Sequence, residues 1–379
     1  MTAGSSRQFG VTLVELMVAM VIGLVLLLGL LQLFSASRAA YSTAEGLGRV
    51  QENARFAMEF LQRDIRMAGH FGCVNDQAHW VKGEGDPAHH FGSVVTGGGS
   101  ALDFSVSVEG YEAPGTGPGD DPLTLGEVWS PPSGITGLSP APVGGSDIIV
   151  LRYLSPEGVP VSALGASTVA FDSSLAPRLT TDGVSAPSLF GIADCTRADV
   201  FPATFTSAAV DTGTALGLDA RYSPQPSGQT MLYRANSIVF YVGLNGASEP
   251  ALYRARAGSS GAYVSEELVE GIESLQLLYG QDSRPVLGPT TPPIGNITRL
   301  GSAADVRAGA GADVANAWRR VGLVQVGLLA RSPMPASAPG AEGAIRVLGT
   351  RFEPSGSGDG RYRASYESTI AIRNRLFGN

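Results

Sequence analysis

Lysine is almost missing from this chain of 379 residues, in which Lys82 is the single example among 26 basic residues. Charged residues make up only 16% of the sequence, and the formal net charge is -8. A protein that binds nucleic acid normally carries a basic patch or stripe. None is present here, so the sequence predicts no nucleic-acid partner. Hydrophobic residues reach 44%, enough for a sizeable core, which excludes a disordered acidic protein.

Motifs of catalysis are also absent, because the chain has no G-x-S-x-G elbow, no P-loop and no arrangement typical of a catalytic cysteine. Four histidines and three acidic residues share one short stretch without a zinc-type spacing: His70, His79, His89, His90, Asp76, Glu84 and Asp86. Asp120 and Asp121 lack the alternating oxygens of an EF-hand. We therefore favour solvated loops at both places, over a zinc or nickel site among the histidines and over a calcium site at Asp120 and Asp121. We predict no enzyme activity, no cofactor and no metal.

Long hydrophobic runs, in contrast, are concentrated near the N-terminus. Residues Leu16 to Leu31 contain no polar side chain. With their apolar flanks they reach the roughly 20 residues that cross a bilayer as a helix. Two alternatives remain at this point: a secretory signal peptide cleaved near Ser35-Ala36-Ser37, and a plain uncleaved anchor.

Glu15, at the start of this apolar span, is evidence against both a secretory signal peptide and a plain anchor. A carboxylate in an apolar span is costly, so it is kept when it has a partner. Cleavage between Gly10 and Val11 would create an amine that is positively charged near neutral pH, four residues from Glu15. The two charges can pair within one chain or between neighbouring chains, and the second arrangement would set the register of stacked subunits.

Residues Gly10 to Leu16, with the sequence GVTLVEL, resemble the type IV prepilin motif. In that family a membrane-embedded aspartyl prepilin peptidase cuts after the glycine and usually methylates the new N-terminus. The resemblance implies that Gly10 is the cleavage residue, Val11 the methylated N-terminus and Glu15 the charged assembly residue. Val11 departs from the phenylalanine that is commonest at this position, and the leader carries one basic residue, Arg7.

The apolar pattern continues beyond the span as one face of a helix. No proline occurs between residues 38 and 68, and apolar or small residues recur there in steps of three and four. We therefore predict one helix from about Thr12 to Ala68, with a bend at Gly46 and Gly48 and a terminator at Gly69.

The stretch from Gln51 to Cys73 resembles the PilW-type minor pilins, whose helix ends in a similar Asn-Ala-Arg-Phe run and a Gly-aromatic-Gly-Cys turn. The residues around Cys195 resemble the second cysteine region of that family. The resemblance is dense over residues 7–73, patchy in the body and stronger again at the C-terminus. Two cysteines in an exported protein predict a disulfide between Cys73 and Cys195, with two free buried thiols as the alternative.

The body of the chain is rich in glycine and proline, and its β-branched and apolar runs predict strands joined by loops. The expected long loops cover residues 74–100, 109–145, 155–190 and 281–312. Seven strands are predicted: Leu102–Val108, Asp147–Leu154, Ser237–Leu244, Ala251–Ala255, Leu268–Tyr279, Val321–Ala330 and Tyr362–Ile372. The run Leu268–Tyr279 is compatible with a helix or a strand, and its resemblance to the PilW-type family favours a strand preceded by a bend. The predicted fold class is α+β, in which a long N-terminal helix packs on an antiparallel, β-rich, pilin-like domain with long loops.

Four regions follow from these predictions. They are a prepilin leader at residues 1–10, a transmembrane segment at 11–34, the amphipathic half of the helix at 35–69 and a β-rich periplasmic globular domain at 70–379. The protein is expected in the inner membrane as a single-pass protein, and after assembly in the pilus near its tip.

The resemblance implies a minor pilin that takes part in type IV pilus assembly and primes filament polymerisation. Its implied partners are the prepilin peptidase, other minor pilins, the major pilin, a tip adhesin and the inner membrane. Two alternatives stay open: the large minor pseudopilin of a type II secretion system, and a membrane-tethered periplasmic binding module or hydrolase.

Overall fold

The computed structural model describes residues 10–75, 91–93, 99–120, 123–124, 137–285, 293–311, 313–336, 343–353 and 359–375, together with positions 129, 135 and 287. Several residues singled out in the sequence lie outside the described residues: the leader up to residue 9, His79, His89, His90, Asp76, Glu84, Asp86 and Asp121.

One helix, α1 (Leu13–Met67), forms the spine of the molecule. It runs without interruption through Gly46 and Gly48, so the weak point predicted there does not break it. Gly69 follows the helix with a φ of +76°, a left-handed conformation that favours glycine and ends helices. The predicted helix is therefore confirmed to within one residue at each end.

The rest of the described chain falls into two groups of elements, before and after residue 230, and every strand of eight or more residues lies in the second group. The first group comprises β1 (His70–Phe71), β2 (Val74–Asn75), β3 (Phe91–Ser93), β4 (Val108–Tyr111), β5 (Leu123–Thr124), β6 (Ile148–Leu154), β7 (Val159–Leu164), β8 (Thr168–Phe171), β9 (Leu189–Ala193), β10 (Ala198–Pro202), β11 (Thr204–Phe205), β12 (Ala209–Asp211) and the helix α2 (Leu218–Arg221).

The second group comprises β13 (Met231–Leu244), β14 (Pro250–Ala257), β15 (Tyr263–Glu270), β16 (Ile272–Asp282), β17 (Ile297–Gly301), α3 (Ala303–Ala308), α4 (Val314–Arg319), β18 (Val321–Pro335), β19 (Ile345–Val347), β20 (Thr350–Glu353) and β21 (Arg361–Ala371).

Two sheets share the core with the second half of α1. An antiparallel four-stranded sheet has the order β17-β16-β18-β21. The larger sheet is organised around β13, which pairs antiparallel with β6, β7, β9 and β14. The apolar face of α1, which includes Val50, Ala54, Leu61 and Ile65, packs with apolar side chains of both sheets in one buried cluster. The antiparallel β-rich domain on a long helix is the predicted fold.

Most predicted strands are present, but two predictions need correction. Leu102–Val108 is not a strand, because the Asp103 carboxylate accepts hydrogen bonds from the Ser105 backbone N–H (3.1 Å) and closes a turn there; β4 begins only at Val108. Leu268–Tyr279 spans parts of two strands, β15 and β16, which meet at Gly271 with a φ of +80°.

All four expected loops contain some regular structure among their described residues, and most of it lies in residues 155–190 and 281–312. Residues 155–190 include β7, β8 and the start of β9, and residues 281–312 include β17 and α3. These elements are four to six residues long. Such short elements carry too little periodicity to be recognised without their partners in space.

Gly46 allows α1 to approach the end of β18 closely. A Cβ atom at position 46 would overlap the Cβ of Ala336, whereas one at Gly48 would meet nothing within 4 Å. Gly46 is buried in the structure, although glycine weakens a helix interior. Close packing against Ala336 therefore explains glycine at this position.

We expect Gly46→Leu to lower the stability of the folded protein by about 1–3 kcal/mol, because the added side chain has no space. Gly48→Leu is the matched control, and it should be neutral or stabilising by about 1 kcal/mol, since leucine is the better helix former. Thermal unfolding of the full chain in detergent measures both. Equal midpoints for the two variants would contradict the close contact with Ala336.

Candidate functional site

The first residues of α1 form a reciprocal cap that places the Glu15 carboxylate at the helix start. The backbone N–H of Glu15 donates to Thr12 Oγ1 (3.3 Å), and the backbone N–H of Thr12 donates to Glu15 Oε2 (2.9 Å). The Thr12 hydroxyl also donates to Glu15 Oε2 (3.0 Å). This capping box satisfies N–H groups that a helix start leaves free. It holds Glu15 one turn from Val11, the residue whose amine cleavage would release.

Thr12 has a capping role that the sequence analysis does not predict. The signal was available, since Thr12 and Glu15 have the spacing of the S/T-x-x-E capping pattern. The pairing of Glu15 with an amine stays a prediction, because it requires a chain cut after Gly10. The structure adds a local role: the same carboxylate orders the first turn.

The first half of α1 is apolar and exposed on every side. An 18-residue window of the helix has a mean hydropathy of 2.7, and none of it is buried within the protein. Large side chains such as Leu13, Leu24 and Leu33 are 63–74% exposed. An apolar surface of this extent marks a membrane or protein contact. By length and composition, this part of α1 can cross a bilayer.

The second half of α1 is fixed to the sheets by specific polar contacts as well as by apolar packing. Asn53 Nδ2 donates to the Glu270 carbonyl (2.9 Å), and Gln62 Nε2 donates to the Ser368 hydroxyl (2.9 Å). Near the helix end, Asn374 Nδ2 donates to the Ala68 carbonyl (3.1 Å). The exposed half continues, in one uninterrupted helix, from a half that is fixed to the domain core.

Asp64 is a charged group on the buried face of this docked half. The Tyr153 hydroxyl donates to Asp64 Oδ1 (2.9 Å), and Arg254 Nη1 lies 3.5 Å from Asp64 Oδ2. Burial raises the pKa of Asp64, while the positive charge of Arg254 opposes this shift. Asp64 thus links the helix to β6 and β14 within the core.

Cys73 and Cys195 form a disulfide in the structure, as the sequence predicts. Cys73 lies in the turn between β1 and β2, just after the end of α1, and Cys195 lies in the turn between β9 and β10. The bond closes a loop of 122 residues in sequence separation. It connects the end of the spine to the large sheet.

Of the candidate metal ligands named in the sequence, His70 and Asp120 belong to the described residues, among which no group of three or more His, Cys, Asp or Glu could hold an ion. His70 lies edge-on to the Tyr233 ring, and burial lowers its pKa. The Asp120 carboxylate accepts a hydrogen bond from the Gly117 backbone N–H (2.9 Å) and so stabilises a turn.

Comparison with known proteins gives two family matches. Residues 239–374 match the PilW family, described as Type IV Pilus-assembly protein W, and residues 5–31 match the prokaryotic N-terminal methylation motif. The PilW match begins within β13 and contains the complete four-stranded sheet that packs under α1. Residues 32–238 lie outside both matches.

One solved structure shows a weak likeness. It is a type IV-like pilin from Thermus thermophilus, 15% identical, with a TM-score of 0.20, and the alignment covers 54% of this chain and 94% of that one. A likeness of this size carries no argument here. No curated protein matches the chain.

The methylation motif, the exposed apolar helix and the β-rich domain fit a membrane-anchored pilin. The PilW match narrows the type: together the two family matches support a PilW-type type IV pilin, a minor pilin of type IV pilus assembly. The motif at its N-terminus implies processing by a prepilin peptidase and other pilins as partners.

Proposed function

We propose that the chain is made as a prepilin, cut between Gly10 and Val11, methylated at Val11 and then inserted into a filament through the exposed half of α1. The observation that carries the proposal is the position of Glu15. Its carboxylate lies at the first turn of an apolar helix that has no cover within the described protein. Pilin-family membership favours this structural role over catalysis.

The chemistry of assembly follows from the same geometry. In the membrane, lipid surrounds the apolar half of α1, and in a filament the apolar helices of other subunits would take the place of lipid. This exchange moves the helix between environments of similar polarity. Apolar burial alone therefore gives little preference for one stacking register between neighbouring subunits. A charge pair between Glu15 and the amine of a neighbouring subunit would supply the preference. Methylation of the amine leaves its positive charge in place.

The finer parts of the proposal concern partners and location. We place the protein in the inner membrane with its β-rich domain, residues 70–379, in the periplasm. It would join other minor pilins, the major pilin and a tip adhesin in a complex that primes polymerisation, and so come to lie near the pilus tip. A disulfide between Cys73 and Cys195 suits an oxidising compartment of this kind.

Mass spectrometry of the N-terminal peptide of the membrane-extracted protein tests the proposal. We expect a peptide that lacks residues 1–10, begins at Val11 and carries one additional methyl group. The chain expressed without a prepilin peptidase is the control, and its N-terminus should keep the leader. A mature protein that begins at Met1, or beyond the apolar span, would contradict the proposal.

A further inference from the structure

A cleft of about 440 Å³ opens beside the end of α1, on the face of the large sheet that the helix covers. Strands β13, β14 and β15 provide its floor, and residues 182–189, which lead into β9, form one wall. Arg63 of α1 reaches this wall, with its Nη2 atom 3.0 Å from Asp182 Oδ1. This ion pair therefore joins α1 to the segment that forms the wall of the cleft.

Arg256 lies in the floor with an unused hydrogen-bond donor. It stands two positions after Arg254 on β14, so the two side chains leave the same face of the sheet. Its Nε atom is 3.5 Å from Glu266 Oε1. Its Nη2 atom is buried and has no hydrogen-bond partner in the described part of the chain. A buried donor without an acceptor is uncommon, and Arg256 also lines the cleft, so its guanidinium group keeps unused hydrogen-bonding capacity there.

Positive charge around Arg256 exceeds the negative charge available to it. Glu266 is shared, because the same oxygen lies 2.6 Å from Arg254 Nε. Asp182 is shared as well, between Arg63 and Arg234, whose Nη2 atom is 3.3 Å from Asp182 Oδ2.

Four guanidinium groups thus face three carboxylates, counting Asp64. Burial and the charge of Arg256 both lower the pKa of Arg234, which shows that the two guanidinium groups repel each other. This excess of positive charge occurs in a protein whose formal net charge is -8. The cleft is electrostatically suited to an anionic group.

The other residues that line the cleft indicate which class of anion fits it. Apolar atoms line the wall and the rim: Val184, Ala186, Pro187, Leu189 and Val264. A bare phosphate would leave these groups without contacts, whereas a carboxylate next to an apolar side chain would use both. A lipid headgroup is excluded by distance, because Arg63 lies roughly 40 Å along α1 from Phe34, at 1.5 Å per residue.

We propose that this cleft binds a carboxylate carried by a peptide segment of a partner protein, held by Arg256, with an adjacent apolar side chain against residues 184–189. The chemistry stands on the cleft alone. The exclusion of a lipid headgroup, and the further point that the partner approaches from the side away from the membrane, rest on the proposed function, because both require the first half of α1 to lie in the bilayer.

Two short peptides that differ by one charge test the binding. The full chain in detergent is titrated with acetyl-Ala-Val-Glu-amide and with acetyl-Ala-Val-Gln-amide, and binding is followed by ligand-observed NMR against a detergent blank. We expect the acidic peptide to bind at least tenfold more tightly. Sodium acetate and inorganic phosphate are added as competitors, and both should compete only weakly.

Arg256→Met should weaken binding of the acidic peptide at least tenfold. Arg299→Met is the control, since Arg299 is an exposed arginine of β17 outside the cleft. A second variant, Val264→Glu, uses a position directly opposite Arg256 in the β14–β15 register and 76% exposed, so folding should tolerate it. The new carboxylate should form an ion pair with Arg256, which should abolish peptide binding and raise the melting temperature of the protein. Val264→Gln should keep the binding.

Equal affinity for the two peptides, or no binding of either, would overturn the proposal. So would retained binding in Val264→Glu, or an equal loss in Arg256→Met and Arg299→Met. Displacement of the acidic peptide by phosphate at matching concentrations would reassign the cleft to phosphate, and displacement by acetate would reassign it to a small carboxylate. None of these results depends on processing at Gly10, so failure here leaves the proposed function testable by itself.

Discussion

Glu15→Gln should reduce incorporation of this protein into pili at least tenfold while the protein still inserts into the membrane. Glutamine can keep the hydrogen bond from the Thr12 backbone N–H, because Glu and Gln serve equally at this position of a capping box. The change therefore removes the charge and preserves the helix start. Without the charge, a neighbouring amine in an apolar environment loses its partner.

The measurement is an immunoblot of sheared pili against the membrane fraction, normalised to total protein. Glu45→Gln is the matched control, because Glu45 lies on the same helix, exposed and beyond the apolar half. It should leave incorporation unchanged. Normal incorporation of the Glu15→Gln protein would show that the charge has no role in assembly, and loss of membrane insertion would point to a different cause.

Replacing both Cys73 and Cys195 by serine should destabilise the folded protein by about 4–5 kcal/mol, the chain-entropy value for a loop of roughly 120 residues. The melting temperature should fall by roughly 10 °C or more, since each kcal/mol shifts a domain of this size by about 2–4 °C. The end of α1 should also become more accessible to protease, because the bond joins it to the β9–β10 turn.

Thermal unfolding of the full chain in detergent, with and without reductant, measures this effect. Reductant should lower the melting temperature of the parent protein and leave the double serine variant unchanged. A melting temperature within about 1 °C of the parent would show that the bond contributes little, and free thiols in the parent under non-reducing digestion would show that it does not form.

Gly271 and Gly46 show the limit of what local sequence patterns predict in this protein. The run Leu268–Tyr279 reads as one strand, yet a left-handed turn at Gly271 divides it between two sheets. Gly46 reads as a helix weakness, yet it is the point where the helix meets Ala336. In both cases the information lies in a neighbour distant in sequence, which local pattern does not contain.

The cleft around Arg256 was not predictable for the same reason. Arg63, Asp182, Arg234 and Glu266 are spread over more than 200 residues, and no spacing rule connects them. Their charges become unbalanced only after β13, β14 and β15 pair and residues 182–189 cross the sheet. Thr12 is different, because its capping role depends on nearby residues, and its spacing from Glu15 is visible in the sequence.

By itself, the sequence determined the parts of this protein that depend on neighbours along the chain. The apolar span, the long helix, the acidic residue at its start and the β character of the body are all set by local composition and periodicity. The tertiary structure alone decided which strands pair, which glycine permits close contact and where arginines accumulate. Those properties arise from contacts between residues far apart in the chain, and only the folded packing brings them together.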